Sequence, residues 1–224
     1  MSHKKSISIL GCGWVGKALK DSLDVECYVV YCLTRDIVAN KQRQWYDVDV
    51  LVIALPPRAG HIGVLERTLQ NIDENVQVIF LSSISFYQEK VSIVEAEKRV
   101  QELHSWTIIL RLGGLMGYDR IAGKYTAGKM LAYDSMTNYV HRDDVVAIIK
   151  KLIDNKIQNN IFDIVAPEQT TKKKIFLQNA QYFGFEKTEF LPHFKNTRAI
   201  SPDKVCKVLN YTFIKNSVED FWKE

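Results

Sequence analysis

Apolar and polar positions along this chain alternate between strand-like and helix-like spacing. Ile7-Ser8-Ile9-Leu10 reads as a short strand, and Val15, Ala18, Leu19 and Leu23 then fall on one helical face. Cys27–Leu33, rich in Val, Tyr and Cys, predicts a second strand. Val50-Leu51-Val52-Ile53-Ala54-Leu55 is a near-continuous apolar run stopped by Pro56-Pro57, the pattern of a strand buried on both faces of a parallel sheet. The pattern continues with a helix at Val64–Ile72, a strand at Val76–Leu81 ending in Ser82-Ser83, and a helix at Ile93–Leu103. A strand at Thr107–Leu112 ends at Gly113-Gly114, and a helix at Val145–Ile153 precedes a strand at Ile161–Val165. Beyond 166 the alternation stops. Thr170–Phe183 predicts a helix with a Thr cap and a Gly184 stop, 192–201 is irregular, and Asp203–Leu209 and Val218–Trp222 predict short helices.

Strands alternating with helices predict an α/β fold: a doubly wound parallel, Rossmann-like sheet with a small C-terminal lobe. The expected division is a dinucleotide-binding domain over 1–166, with 118–138 as a substrate-side loop, and a substrate lobe over 167–224. In such sheets ligands bind at the carboxyl edge. That edge is expected to gather Gly11, Thr34, Pro56, Ser82 and Gly113.

The first strand runs into Gly11-Cys12-Gly13-Trp14-Val15-Gly16, a G-x-G-x-x-G turn opening a helix. Strand, glycine turn and helix are the context in which this pattern points to a dinucleotide. Gly11 permits the turn, Gly13 lets the backbone approach a pyrophosphate, and Gly16 lets the helix pack on its strand. The helix N-terminus offers N–H groups and partial positive charge to the phosphates. Trp14 is expected to pack over the backbone on that side or to close the pocket. Pro56-Pro57 is expected to end its strand and shape the pocket wall.

The chain has 224 residues, of which 46% are apolar, enough for a sizeable core. A net charge of +4 does not call for a nucleic-acid partner, and Lys172-Lys173-Lys174 lacks interleaved aromatics, so it reads as a solvated helix face. Cys12, Cys27, Cys32 and Cys206 show no C-x-x-C spacing. The expectation is therefore free thiols, no metal site and a reducing cytoplasm. No stretch approaches a membrane span. His141 stands without a second ligand at metal spacing and is expected to orient the loop before the Val145 helix, with Asp143 or Asp144 capping that helix.

Several motifs then line up in order. They are Gly11–Gly16, Ala54-Leu55-Pro56-Pro57, Ser82-Ser83-Ile84-Ser85-Phe86-Tyr87, Leu110-Arg111-Leu112-Gly113-Gly114-Leu115-Met116-Gly117 with Arg120, Tyr139-Val140-His141-Arg142-Asp143-Asp144-Val145, and Asn210-Tyr211-Thr212-Phe213. With these the chain resembles the extended short-chain dehydrogenase/reductase superfamily, in its atypical epimerase/dehydratase-like branch. The resemblance implies a nicotinamide cofactor held by Gly11, Gly13, Trp14, Val15, Gly16, Thr34, Arg35, Ala54, Leu55, Pro56, Ser82, Gly113 and Gly114. It also implies a hydroxyl at Ser83 that polarises a substrate carbonyl or hydroxyl, and a Tyr-x-x-x-Lys pair for proton transfer. That pair does not appear at its expected place: Tyr87 is followed by Val91 at the fourth place, Ile93-Val94-Glu95-Ala96-Glu97-Lys98 holds no tyrosine, and Tyr125 with Lys129 lies beyond it.

Tyr87 is therefore expected to pack beside the nicotinamide pocket. It is also the first candidate, with Ser83, for catalysis. Little or no turnover is expected on the family's sugar-nucleotide or ketone substrates. NADP is expected over NAD, because Arg35 follows the second strand where a guanidinium meets a 2′-phosphate, whereas a slip in register would put Asp36 on the ribose instead. The leading expectation is an NAD(P)-binding epimerase-, dehydratase- or reductase-like protein acting on a small polar or nucleotide-linked substrate. The alternative is a non-catalytic NADP(H)-binding sensor or partner-binding protein. Neither a nucleic acid nor a membrane is expected as partner, and the sequence leaves the oligomeric state open.

Overall fold

A computed structural model describes residues 4–33, 43–155 and 157–223. Thr34, Arg35 and Asp36 lie outside the described residues. The central feature is a six-stranded, all-parallel sheet in the order β2-β1-β3-β4-β5-β9. Its strands are β1 (Lys5–Leu10), β2 (Tyr28–Leu33), β3 (Val50–Ile53), β4 (Gln77–Ser83), β5 (Ile108–Leu112) and β9 (Ile161–Ile164). The register pairs Ile9 with Cys32, Leu10 with Ile53, and Ile53 with Phe80. Every residue of β3 and of β5 is buried, as the unbroken apolar run of β3 requires, and β5 carries Arg111 among its apolar residues.

The chain divides into two compact units. The first comprises Met1–Arg111 and Val146–Phe162. It holds the helices α1 (Trp14–Ser22), α2 (His61–Leu69) and α3 (Val91–Leu103). Leu10, Leu51, Ile53, Leu65, Val78, Val100 and Ile109 are core residues of one cluster in this unit.

The second comprises Leu112–Val145 and Asp163–Glu224. Within it the short parallel pairs are β6 (Gly114–Met116) with β8 (Tyr139–His141), and β7 (Met130–Leu131) with β10 (Glu189–Phe190). Helix α4 (Arg142–Asp154) begins in this unit, and α5 (Lys172–Phe183) and α6 (Asp203–Leu209) lie wholly in it. Ala122, Ala166, Ile175, Phe176, Val218 and Phe221 form its own core. The Thr171 hydroxyl accepts the Lys174 N–H at the start of α5, and Gly184 ends that helix in the left-handed region, as the sequence signals predict.

Two expectations are corrected. The thiols of Cys12 and Cys32 are not free but joined in a disulfide, leaving Cys27 and Cys206 reduced. Neighbouring parallel strands create this pairing, with Cα atoms 5.7 Å apart, and a search for local cysteine spacing cannot see it. The capping role expected of Asp144 is not what its carboxylate does. Fully buried, it accepts the Tyr211 hydroxyl at 2.7 Å and the Ile214 and Lys215 amides at 2.6 and 3.1 Å, tying down the segment after α6. At the start of α4 it is the His141 ring that accepts an amide, Nδ1 taking the Asp143 N–H at 3.3 Å.

Candidate dinucleotide site

The turn after β1 is shaped by close approaches. Gly11 has φ +100°, and a Cβ there would lie 2.6 Å from the Ala54 carbonyl oxygen. A side chain at Gly16 would collide with the Gly11 carbonyl and the Ile9 side chain. These two glycines therefore fasten α1 to β1 and β3, in keeping with the roles read from their spacing. Gly13 differs. A Cβ built on it meets nothing within 4 Å, and the residue is exposed, so its missing side chain leaves open ground in front of the backbone.

Helix α1 starts at Trp14 with no side-chain cap and no acidic residue in its first turn. Its first N–H groups and the positive end of its dipole face that opening, the arrangement in which a helix start receives phosphate. Val15 and Gly16 are buried beneath it, and Trp14 is half-buried. An open glycine at a helix start without a side-chain cap leaves room for a ligand in front of the backbone.

Ala54, Leu55 and Pro56 leave β3 beside this turn, with the Ala54 N–H donating to the Leu10 carbonyl at 2.8 Å. One strand further, β4 ends at Ser83, and residues Ile84–Gln88 make a short 3-10 turn. The Ser83 hydroxyl accepts the Ser85 N–H and donates to the Ser85 hydroxyl, both at 3.2 Å, so it is oriented by the turn it caps. The carboxyl edge of the first unit thus carries, on adjacent strands, the glycine turn, Ala54–Pro56 and Ser83–Tyr87.

Beneath Tyr87 lies a buried ionic group. Glu97 from α3 is 2% exposed and Arg111 from β5 is 8% exposed. Arg111 Nη2 donates to Glu97 Oε2 at 2.8 Å and Nε donates to both carboxylate oxygens at 3.1 Å. Ser82 donates its hydroxyl to Glu97 Oε1 at 2.5 Å, so this side chain of the strand-end pair turns to the ionic group. The guanidinium also stacks 3.5 Å from the Phe86 ring centroid and donates from Nη1 to the Tyr87 hydroxyl at 3.2 Å. Burial opposes the charge on Arg111, but Glu97 and Tyr87 outweigh it and hold its pKa above the usual arginine value.

The Tyr87 phenol therefore has a fixed cation within hydrogen-bond reach, although no lysine stands four residues on. Looking for a lysine at helical spacing misses it. The signal in the sequence was an arginine inside the buried strand Ile108–Leu112, which needs a partner for its charge.

In the second unit, Gly113 and Gly114 are accounted for by packing. A Cβ on Gly113 would strike the Asn138 carbonyl, and one on Gly114 would lie 2.6 Å from the Tyr139 ring. His141 is buried beside Tyr118 and Phe221, each ring centroid 5.3 Å away, and burial pushes its pKa below the ordinary histidine value. Tyr118 has φ +53°, donates its hydroxyl to Asp143 at 2.5 Å, and lies under the Arg142 guanidinium at 4.1 Å.

Among solved structures, the fold is similar to an NAD-dependent epimerase/dehydratase of Methylobacillus flagellatus, described as putative, with TM-score 0.80, 19% identity, and 98% of this chain and 96% of that one covered. It is also similar to UDP-glucuronic acid 4-epimerase of Bacillus cereus, solved with UDP-glucuronic acid and NAD, at TM-score 0.75 and 16% identity over 92% of this chain and 93% of that one. The chain has the fold of the extended short-chain dehydrogenase/reductases. A third structure with this fold, dTDP-4-dehydrorhamnose reductase of Bacillus anthracis in complex with NADP, aligns at TM-score 0.70 and 12% identity over 94% of both chains. In sequence the chain is 26% identical to Protein YeeZ of Escherichia coli (strain K12) over 267 aligned positions, covering 93% of this chain and 96% of that protein. No protein-family model matches. Among the described residues no helix is long and apolar enough to cross a membrane.

Proposed function

We propose that this chain binds a nicotinamide dinucleotide at Gly11–Gly16 and acts as an oxidoreductase or epimerase-like enzyme on a small polar or nucleotide-linked substrate. The carrying observation is the open face of Gly13 at the uncapped start of α1, beside two glycines that permit no side chain. Gly13, Trp14 and Val15 would hold the pyrophosphate, and Ala54, Leu55 and Pro56 would border it. The nicotinamide, when bound, supplies hydride acceptance or donation. Structural relatives solved with NAD or NADP support the cofactor class. NADP over NAD remains our reading of Arg35, and the cytoplasm our reading of the location.

The chain's own groups would handle the proton and the substrate oxygen. Ser83, oriented by Ser85, offers a hydroxyl to a carbonyl or hydroxyl oxygen. Tyr87 accepts an N–H from Arg111 on its hydroxyl oxygen, which places the phenol beside a cation. Glu97 neutralises much of the Arg111 charge, so the phenol is stabilised less as an anion than it would be beside an unpaired ammonium. Slow turnover on sugar nucleotides and ketones follows. The test is hydride exchange from NADPH and NADH across a panel of such substrates, with Tyr87→Phe and Ser83→Ala alongside. Turnover that is slow and falls further in both variants supports the reading; activity indifferent to both rules out these residues as the catalytic groups.

The second reading, a dinucleotide-binding sensor or partner-binding protein without turnover, is favoured by α3, which carries no tyrosine–lysine pair. Saturable binding with no hydride exchange in any pairing would select it.

A further inference from the structure

A covalent cross-link lies inside the glycine turn. Cys12, between Gly11 and Gly13, is bonded to Cys32, the next-to-last residue of β2. The backbone sets this meeting. Ile9 stands beside Cys32 and Leu10 beside Leu33, and the Gly11 N–H donates to the Leu33 carbonyl at 3.0 Å. Residue 12, two beyond the end of β1, is thereby brought back against residue 32. Both cysteines are half-buried, so solvent-borne thiols can reach them.

We propose that Cys12–Cys32 is a reversible oxidation site that controls dinucleotide binding, closed when bridged and open when reduced. The proposal rests on the dinucleotide reading of the preceding subsection. In folds of this kind the adenosine half lies between the glycine turn and the end of the second strand, where its ribose is held. The bridge joins those two backbones. In the bridged form the Gly13 N–H donates to the Gly11 carbonyl at 2.8 Å. Breaking the bridge removes the covalent restraint between the turn and β2 and leaves the backbone pairing of the two strands in place.

The chemistry is thiol–disulfide exchange with a dithiol. One thiolate of the dithiol attacks a bridge sulfur and expels the other cysteine as thiolate, which takes up a proton. The second dithiol sulfur then displaces the first cysteine, leaving two cysteine thiols and an oxidised dithiol. Two electrons and two protons pass from dithiol to protein. A disulfide oxidant runs the steps in reverse.

The test uses the full chain, incubated either with dithiothreitol or with oxidised glutathione and then freed of both. Alkylation and intact mass should report four labelled cysteines in the reduced form and two in the bridged form. Calorimetric titration with NADPH and with NADH should show binding to the reduced form and affinity at least about tenfold weaker in the bridged form. Cys32→Ser should bind like the reduced form after either treatment. Equal affinity in both states, tighter binding when bridged, or four labelled cysteines after both treatments would overturn the proposal. If Cys32→Ser does not fold, the two redox forms of the native chain decide the matter alone. Binding indifferent to redox state removes this proposal and leaves the dinucleotide reading standing; no binding in any form removes both.

Discussion

Tyr87 is a phenol whose partner comes from another strand. Its neighbour Arg111 lies 24 positions along the chain, so the pair is invisible at helical spacing and plain once β4 and β5 lie side by side. Arg111→Lys tests its role. A lysine keeps a charge but cannot make the forked contact with Glu97 while also reaching the phenol. The expected result is a protein with reduced kcat and little change in KM, and an alkaline limb of the pH–rate profile displaced from that of the parent. Tyr87→Phe should lower kcat by about 10²-fold or more if the phenol transfers the proton. Removing the arginine outright, as in Arg111→Met, strands the buried Glu97 carboxylate and should cost roughly 3–5 kcal/mol of stability, read by denaturant unfolding. For the cofactor, Arg35→Ala should weaken NADP by about 1.5–3 kcal/mol and leave NAD nearly unchanged in the same titration. An equal loss for both would make Arg35 structural. The close approaches at Gly11 and Gly16 were legible from sequence because the spacing that marks them is local. The Cys12–Cys32 bond and the Arg111–Tyr87 contact were not, because each depends on strand pairing.

At the scale of elements, hydrophobic periodicity located the strands and helices of the sheet to within a few residues. The predicted strand at Val76–Leu81 is observed at Gln77–Ser83, and the helix at Ile93–Leu103 at Val91–Leu103. The starts were less legible. Helix α2 opens at His61, three residues before the predicted Val64, behind the left-handed Gly60, and α4 opens at Arg142, before the apolar face that announces it. The anchoring of residues 211–215 could not be read at all, since an aspartate at a helix start signals a cap and gives no hint of a partner 67 residues away. Asp144→Ala should therefore destabilise the second unit, at roughly 1–3 kcal/mol for each buried donor left without an acceptor. Thermal unfolding would measure the loss, and limited proteolysis should cut first within 210–217. An unchanged melting temperature would show that water replaces the carboxylate.

For the whole molecule, pH is the variable that acts through two of the buried histidines. His104 and His141 are both buried, and in each burial pushes the pKa below its ordinary value; at His141 the Asp143 carboxylate works against that, while Lys215 and Arg142 add to it. A histidine depressed in the folded state contributes stability that is present above its unfolded pKa of about 6.5 and is lost as pH falls through the folded value. The melting temperature should therefore fall on acidification from neutral pH, and His104→Asn should flatten part of that slope. A melting temperature level across this range would contradict the assignment.

Whether Gly13 faces a pyrophosphate decides whether this chain binds a dinucleotide at its glycine turn. Isothermal titration of the reduced chain with NADPH, set beside Gly13→Asp of matched circular dichroism, is the direct measurement. A Cβ at position 13 meets no protein atom, so the aspartate should leave the fold intact while placing a carboxylate where the phosphates would lie. The expected result is saturable one-to-one binding to the native chain and none detectable to the folded variant. Equal affinity for both would contradict the account.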